Sequence, residues 1–234
     1  MTWKQVFTSS VGRKLTMGLT GIFLILFLLV HAALNACIWA NDGGQMFNRA
    51  AHFMGDNVIP RILEIGLFLF IFLHIVQGLM LEASNRSKRG NVAYQVSYGN
   101  RGSKWYSRSM AILGTLILLF LILHWYDFWV PSRFGHVEEV TLDTRGGAAV
   151  TVHDLYGKMF ETFSQLWVVI VYVLGCIALC YHLMHGFQSA FRSVGLHNRK
   201  YNKMLTGIGY AYSIIICLAF ALMPISMYFG WIER

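Results

Sequence analysis

Five long apolar runs occupy most of this sequence, and each is long enough to cross a lipid bilayer as a helix. They are residues 17–39, 61–81, 110–130, 163–187 and 205–229. About 20 apolar residues in a helix span the hydrocarbon core, and an open sheet cannot satisfy its backbone hydrogen bonds in lipid. The sequence therefore predicts an all-α integral membrane protein, a bundle of five transmembrane helices in a single domain over residues 1–234.

The composition excludes an ordinary soluble domain. Charged residues make up only 13% of the chain, against about 25% in soluble domains. The formal net charge of +8 is compatible with nucleic-acid binding, but the basic residues lie in short segments between apolar runs, as in membrane-protein loops. The first run is longer than the apolar part of a signal peptide, so we expect it to be retained as the first span.

The charges between the runs alternate from one loop to the next. The N-terminal segment and the second and fourth loops are basic, whereas the first and third loops carry most of the acids. Because basic loops stay in the cytoplasm, we expect a cytoplasmic N-terminus and a C-terminus on the outer side. In the third loop, about residues 131–160, the pattern predicts a small hairpin around Gly146–Gly147.

Histidines lie inside four of the five runs, where an imidazole is costly to bury and is usually functional. His31, His74, His124 and His182 are on four different predicted helices. A rise of about 1.5 Å per residue, counted from the nearest inner basic residue, puts them at two depths. The pair His31 and His124 lies about 24–25 Å from the inner end, and the pair His74 and His182 about 15–18 Å from it.

Two imidazoles at equal depth on different helices match the axial ligands of a six-coordinate haem iron, and bundle cores commonly hold such sites. A glycine, Gly78 or Gly186, follows each histidine of the inner pair by four residues. It lies on the same helix face and leaves room for a flat macrocycle. Helix packing at small residues is an equally simple explanation of these glycines.

The remaining histidines and the cysteines have weaker interpretations. His185 either serves haem propionates or a water chain, or simply packs. We expect the histidines of the loops to be solvated: His52, His136, His153 and His197. The cysteines lie in or beside apolar runs without a CxxC or CxxCH motif, so neither a disulfide framework nor covalent haem attachment is expected. They are Cys37, Cys176, Cys180 and Cys217.

Five segments together give the chain a family resemblance. They are LLVHAALNA with His31, FNRAAHFM with His52, FLHIVQG with His74, LILHWYDFW with His124 and YHLMHGFQSAF with His182. The chain resembles the cytochrome b membrane-anchor subunit of succinate:quinone oxidoreductases (succinate dehydrogenase and fumarate reductase), in the single-chain, five-helix, di-haem form. The resemblance runs from Ser9 to about Phe229 and is weakest over residues 131–160.

The resemblance implies two b-type haems, a proximal one on His74 and His182 and a distal one on His31 and His124. It implies a flavoprotein subunit with FAD and an iron–sulfur subunit as partners, on the cytoplasmic side of a bacterial inner membrane. Electrons would pass from succinate through the proximal and then the distal haem to menaquinone, or in reverse from quinol to fumarate. The chain itself has no flavin fingerprint and no cysteine cluster, so it is not expected to bind the dicarboxylate.

The quinone site is expected near the outer side of the membrane. The region Asn48–Met54 is one candidate, and the carboxylate of Glu64 is a candidate for handling quinone protons. A competing interpretation of Glu64 is an interfacial residue paired with Arg61. Cys180 occupies the position at which some fumarate-reducing relatives carry a proton-conducting glutamate, so proton transfer by that route is not expected.

Three other functions remain open. The chain also fits the di-haem anchor of another quinol-linked reductase, such as a nitrate reductase or hydrogenase, although the nitrate reductase type takes its haem ligands from two helices rather than four. A transporter or channel with a histidine relay would be expected to show repeats or broken helices with paired charges. The third open function is that of a purely structural membrane anchor without haem.

Overall fold

The computed structural model describes residues 9–89, 104–142, 149–196 and 198–234. The helices within these ranges are α1 (Ser10–Asn35), α2 (Gln45–Asp56), α3 (Val58–Arg89), α4 (Trp105–Arg108), α5 (Met110–His124), α6 (Val130–Phe134), α7 (Leu155–Phe163), α8 (Leu166–Ser193) and α9 (Asn202–Tyr228). A 3₁₀ turn, Ala36–Ala40, extends α1, and a π-helical turn, Trp125–Trp129, joins α5 to α6.

Within the described ranges, five helical stretches are long and apolar enough to cross a membrane, which confirms the predicted all-α membrane bundle. They are Ser10–Ala40, Val58–Lys88, Met110–Phe134, Leu166–Ser193 and Asn202–Tyr228. Most of them extend past the predicted spans, because polar residues at a helix end continue the same hydrogen-bonded helix without entering lipid. The fourth starts later than predicted, because α7 ends at Phe163 and a turn separates it from α8.

The chain divides into two compact units, and each unit takes part of all five membrane helices. The first comprises Met1–Phe27, Ile65–Leu116 and Ala178–Ile214. Within it, α1 and α8 approach closely at Gly18, where an added Cβ would lie 2.9 Å from the Cβ of Ser193. Close packing at a small residue is common between membrane helices.

The second unit comprises Leu28–Glu64, Ile117–Ile177 and Ile215–Arg234. Its core is a cluster of buried, mainly apolar side chains that come both from membrane helices and from the segments between them. These are Ile38, Phe47, Tyr156, Met159, Phe163, Val168, Val169, Tyr172, Met223, Met227 and Ile232. Beside the core, the indole Nε1 of Trp39 donates a hydrogen bond to Ser226 Oγ at 3.1 Å, which fixes the end of the first membrane helix.

A β-hairpin belongs to the second unit. Strands β1 (Glu139–Leu142) and β2 (Val150–His153) pair antiparallel, with Leu142 opposite Val150. This register centres the connection on residue 146, so the strands confirm the predicted hairpin. The expected turn residues Gly146–Gly147 lie outside the described residues.

A buried asparagine ties α2 to the start of α7. Asn48 is 2% exposed; its Nδ2 donates to Asp154 Oδ1 at 2.8 Å and its Oδ1 accepts from the Tyr156 backbone N–H at 2.9 Å. Asp154 also caps α7 by accepting from the backbone N–H of Gly157. Burial raises the pKa of the Tyr156 hydroxyl, and the carboxylates of Asp42 and Asp154 raise it further.

Replacing Asn48 by alanine should destabilise the second unit. The change leaves the Tyr156 N–H without its acceptor and removes one of the two hydrogen bonds to Asp154 Oδ1; a buried unsatisfied group costs about 1–3 kcal/mol. The matched control is Asn57→Ala, because Asn57 Nδ2 donates to Phe53 O at 2.8 Å in an exposed position. We expect thermal unfolding in detergent at a lower temperature for Asn48→Ala than for the control, and equal melting of both variants would contradict this role.

Candidate functional site

The four histidines of the membrane helices meet as two pairs, one in each unit. In the first unit the ring centres of His74 and His182 lie 6.2 Å apart with an interplanar angle of 66°. In the second unit those of His31 and His124 lie 5.9 Å apart at 84°. The pairing expected from helix depth is thus the one that the structure has, whereas ligation of a haem by these residues stays a prediction.

The spacing of each pair is compatible with a metal ion between the two rings. A metal bound to two imidazole nitrogens at about 2.0–2.1 Å places the ring centres about 6 Å apart. Within the described ranges, no three His, Cys, Asp or Glu side chains converge as they would around a bare metal ion. Paired imidazoles are instead what a protein contributes to a six-coordinate haem, whose porphyrin provides the other four nitrogens.

The tautomer of His74 can be assigned from a neighbouring hydroxyl. Thr20 is 1% exposed, and its Oγ1 donates to the carbonyl of Thr16 at 2.8 Å, one turn earlier in α1. The same Oγ1 lies 3.1 Å from His74 Nδ1. Because a hydroxyl has a single proton, Thr20 must accept from the imidazole. His74 therefore carries its proton on Nδ1, and the lone pair of Nε2 is left for a ligand.

Two glycines that the sequence analysis missed lie against the first pair. An added Cβ at Gly21 on α1 would lie 3.9 Å from His74 Cε1, and one at Gly114 on α5 would lie 3.9 Å from His182 Cε1. Of the two predicted glycines, Gly186 has nothing within 4 Å of an added Cβ, and Gly78 would only touch the end of Met17. Small residues therefore surround these imidazoles, which suits a large flat group.

Several buried polar atoms, two of them on the paired histidines, lack a protein partner. In the described part of the chain, buried side-chain atoms without a hydrogen bond are Arg13 Nε, Gln77 Oε1, His124 Nδ1 and His182 Nδ1. Such atoms are rare in native structures and indicate an absent partner. Arg13 precedes Thr20 by about two helical turns, roughly 10 Å along α1. The donors and acceptors present in the first unit fit a haem, with Arg13 available for a propionate.

Aromatic rings surround the second pair. His31 contacts Phe220 at 5.6 Å between ring centres, and the amide of Asn35 lies 3.3 Å from its Nδ1. His124 is packed among the rings of Phe120, Phe128 and Tyr172, whose centres lie 5.5–6.2 Å from it. The wall of this site is thus aromatic, whereas glycines flank the first pair.

Glu64 has more partners than the sequence predicted. Its carboxylate accepts from Trp129 Nε1 at 2.6 Å and from Arg133 Nε and Nη2 at 3.1 and 3.0 Å. The expected partner, Arg61, lies at 3.5 Å and is the more exposed of the two arginines. Arg133 was not foreseen because the long sequence separation gives no signal of this contact. The proposed role of Glu64 with quinone protons stays a prediction.

The other candidate residues are not members of the two imidazole pairs. Asn48 uses its amide in the structural contacts described above, and His52 lies 3.2 Å from Asp56 on the same helix. His185 is on α8, three residues after His182, and is partly buried. Of the loop histidines, His153 is exposed on β2, whereas His197 lies outside the described residues.

Comparison with known proteins gives no independent evidence for a family. Protein-family models, curated proteins and solved structures were searched, and the chain matches none of them. The functional interpretation therefore depends on the residues themselves.

Replacing Thr20 by valine should weaken haem binding at the first pair. The change removes the acceptor of the His74 Nδ1–H, and loss of such a supporting hydrogen bond typically lowers metal affinity about 10–100-fold. Loss of the bond also makes the imidazole a weaker electron donor to the iron, so the reduction potential of this haem should rise. The measurements are haem content per chain and an optical redox titration of the purified protein.

The matched control is Thr115→Val. Thr115 donates to the carbonyl of Ala111 in the same way, at 2.9 Å, but from an exposed helix face. Equal haem content and potentials in the two variants would refute the assigned role of Thr20.

Proposed function

We propose that this chain is the di-haem membrane subunit of a succinate:quinone oxidoreductase. It would hold one b-type haem between His74 and His182 and another between His31 and His124, and would carry electrons between soluble partner subunits and a membrane quinone. The observation that supports this most directly is the presence of two separate imidazole pairs with the spacing of axial ligands. The family resemblance of the sequence supplies the substrate and the partners.

When bound, a haem of this kind exchanges one electron between ferric and ferrous iron. The protein residues have three tasks around it. Thr20 orients His74 and fixes its proton on Nδ1; Gly21 and Gly114 leave space beside the first pair. The rings of Phe120, Phe128 and Tyr172 keep the second pair in an apolar environment. Both imidazoles of each pair would hold the haem, and the chemistry that it would supply is electron transfer rather than substrate binding.

The partners and the location belong to the same proposal. The five membrane helices make the chain a multi-pass membrane protein. We place it in the bacterial inner membrane, with its N-terminus and basic loops on the cytoplasmic side. A flavoprotein subunit and an iron–sulfur subunit would bind on that side, and menaquinone would react near the outer side. A histidine relay for transport is less well supported, because the imidazoles form two pairs with the spacing of metal ligands.

Optical spectra of the purified membrane complex test the proposal. A reduced-minus-oxidised difference spectrum should show b-type α-bands with a haem content near two per chain. Co-purification of a flavoprotein and an iron–sulfur protein would select the succinate:quinone class over other quinol-linked anchors. The absence of a b-type band would exclude the di-haem function.

Single histidine substitutions should remove the haems one at a time. His31→Ala should abolish the b-type haem band of the second unit and leave that of the first unit unchanged. His74→Ala should do the reverse, since each unit has its own pair of ligands. His153→Ala, at an exposed position on β2, is the control and should retain both components. Loss of both haems in His31→Ala, with normal folding by circular dichroism, would contradict two independent sites.

A further inference from the structure

The π-helical turn Trp125–Trp129 begins directly after the ligand candidate His124. Here the backbone N–H of Val130 bonds to the carbonyl of Trp125, five residues earlier. Single π turns within helices occur frequently at functional sites. This turn contains Asp127, an acidic residue inside a membrane-spanning stretch.

Asp127 differs from the other carboxylates of the membrane helices. These helices contain Glu64, Glu82 and Asp127. Glu64 is paired with Arg133, and Glu82 accepts from Arg86 at 2.6 Å. Asp127 has no cationic partner among the described residues; it accepts instead from the hydroxyl of Tyr172 at 2.7 Å. A carboxylate without a cation is costly within a membrane and is a candidate for function.

Tyr172 connects this carboxylate to the second histidine pair. The tyrosine is 5% exposed, and its ring packs edge-on against His124 with the ring centres 6.2 Å apart. Its hydroxyl holds one oxygen of Asp127 in place. A group bound at Asp127 would therefore be separated from the His31–His124 pair by a single aromatic side chain.

A cavity opens at Asp127. It has a volume of about 340 Å³, within the range of small-molecule sites. Its apolar lining includes Val130 and Phe134, and its polar lining includes Asp127, Tyr126, His136 and Lys158. Lys158 also pairs with Glu161 at 2.8 Å. Hydrogen-bond donors and acceptors thus line this open cavity together with apolar side chains.

Glu64 of α3 stabilises one wall of the cavity. Arg133 lies in α6, between cavity residues Val130 and Phe134, and forms two hydrogen bonds with the Glu64 carboxylate. Trp129 donates to the same carboxylate. Glu64 thus holds the short helix α6 in position, and its oxygens are already engaged.

We propose that this cavity binds the ring of the quinone, with the Asp127 carboxylate accepting a hydrogen bond from a hydroxyl of the reduced ring. The inference rests on the proposed function and places the quinone beside the π turn rather than at Asn48–Met54. A flat apolar ring with polar oxygens suits a lining that combines apolar side chains with the carboxylate acceptor Asp127 and the donors His136 and Lys158. Tyr172 is a positioning residue, because it acts by holding Asp127.

Photolabelling of the intact complex in membranes tests the location. The probe is a ring-azido naphthoquinone, and labelled peptides are identified by mass spectrometry. Label within residues 126–136 or at Lys158, removed by excess unlabelled naphthoquinone but not by phospholipid, supports the proposal. Label elsewhere, no label, or equal displacement by phospholipid overturns it. The haem spectrum of the same sample is a separate readout. A missing b-type band would contradict the proposed di-haem function, whereas the labelling pattern decides the location of the quinone site.

Binding of a naphthoquinol analogue to variant complexes tests the role of Asp127. We expect Asp127→Asn to weaken binding about tenfold, because a hydrogen bond to a charged acceptor is the stronger kind. Tyr172→Phe should weaken it less, since the carboxylate remains. The controls are Glu138→Gln, an exposed carboxylate outside the cavity lining, and Tyr228→Phe in the same unit. Unchanged affinity in Asp127→Asn, or equal loss in the controls, would overturn the role of Asp127.

Discussion

The cost of an imidazole in an apolar helix is the constraint on which the rest of this structure depends. Each neutral ring has one nitrogen that donates and one that accepts, and lipid offers partners for neither. The chain meets this cost by bringing four rings from four helices into two pairs. At His74 one nitrogen is satisfied by Thr20, and the other is left for the space between the rings. A metal in that space would bind the nitrogen that has no hydrogen-bond partner.

The two pairs have different surroundings, and this difference has a physical consequence. Beside the first pair are a hydroxyl acceptor and two glycines. The second pair is enclosed by aromatic rings, with an amide near His31. Hydrogen bonding to the ligand and burial of the site both set the potential of a haem. We therefore expect haems at the two pairs to have different potentials.

The sequence predicts the five spans and the two histidine pairs, because both follow from local periodicity and from counting helix rise. It does not predict the supporting contacts. Thr20 and His74 are 54 residues apart, and Tyr172 and Asp127 are 45 apart, so their meeting depends on how helices rotate about their axes. The predicted partners of Glu64 were incomplete for the same reason. Arg61 lies one turn away in the sequence, whereas Arg133 comes from another helix. The predicted glycines, Gly78 and Gly186, follow the histidines of the first pair in sequence, whereas Gly21 and Gly114 come from the helices that carry the second pair.

The positions of the acidic residues limit how protons can move through this protein. In the five membrane helices the carboxylates lie within about two turns of a helix end, at Glu64, Glu82 and Asp127. The fourth membrane helix contains no carboxylate, and Cys180 lies in its middle. A thiol is a weak hydrogen-bond donor and acceptor and is a poor substitute for a carboxylate in a relay. Under the proposed function, electrons would then cross the interior of the bundle through the histidine sites, whereas the protons of the quinone would be exchanged at the end of the helices where the ring binds.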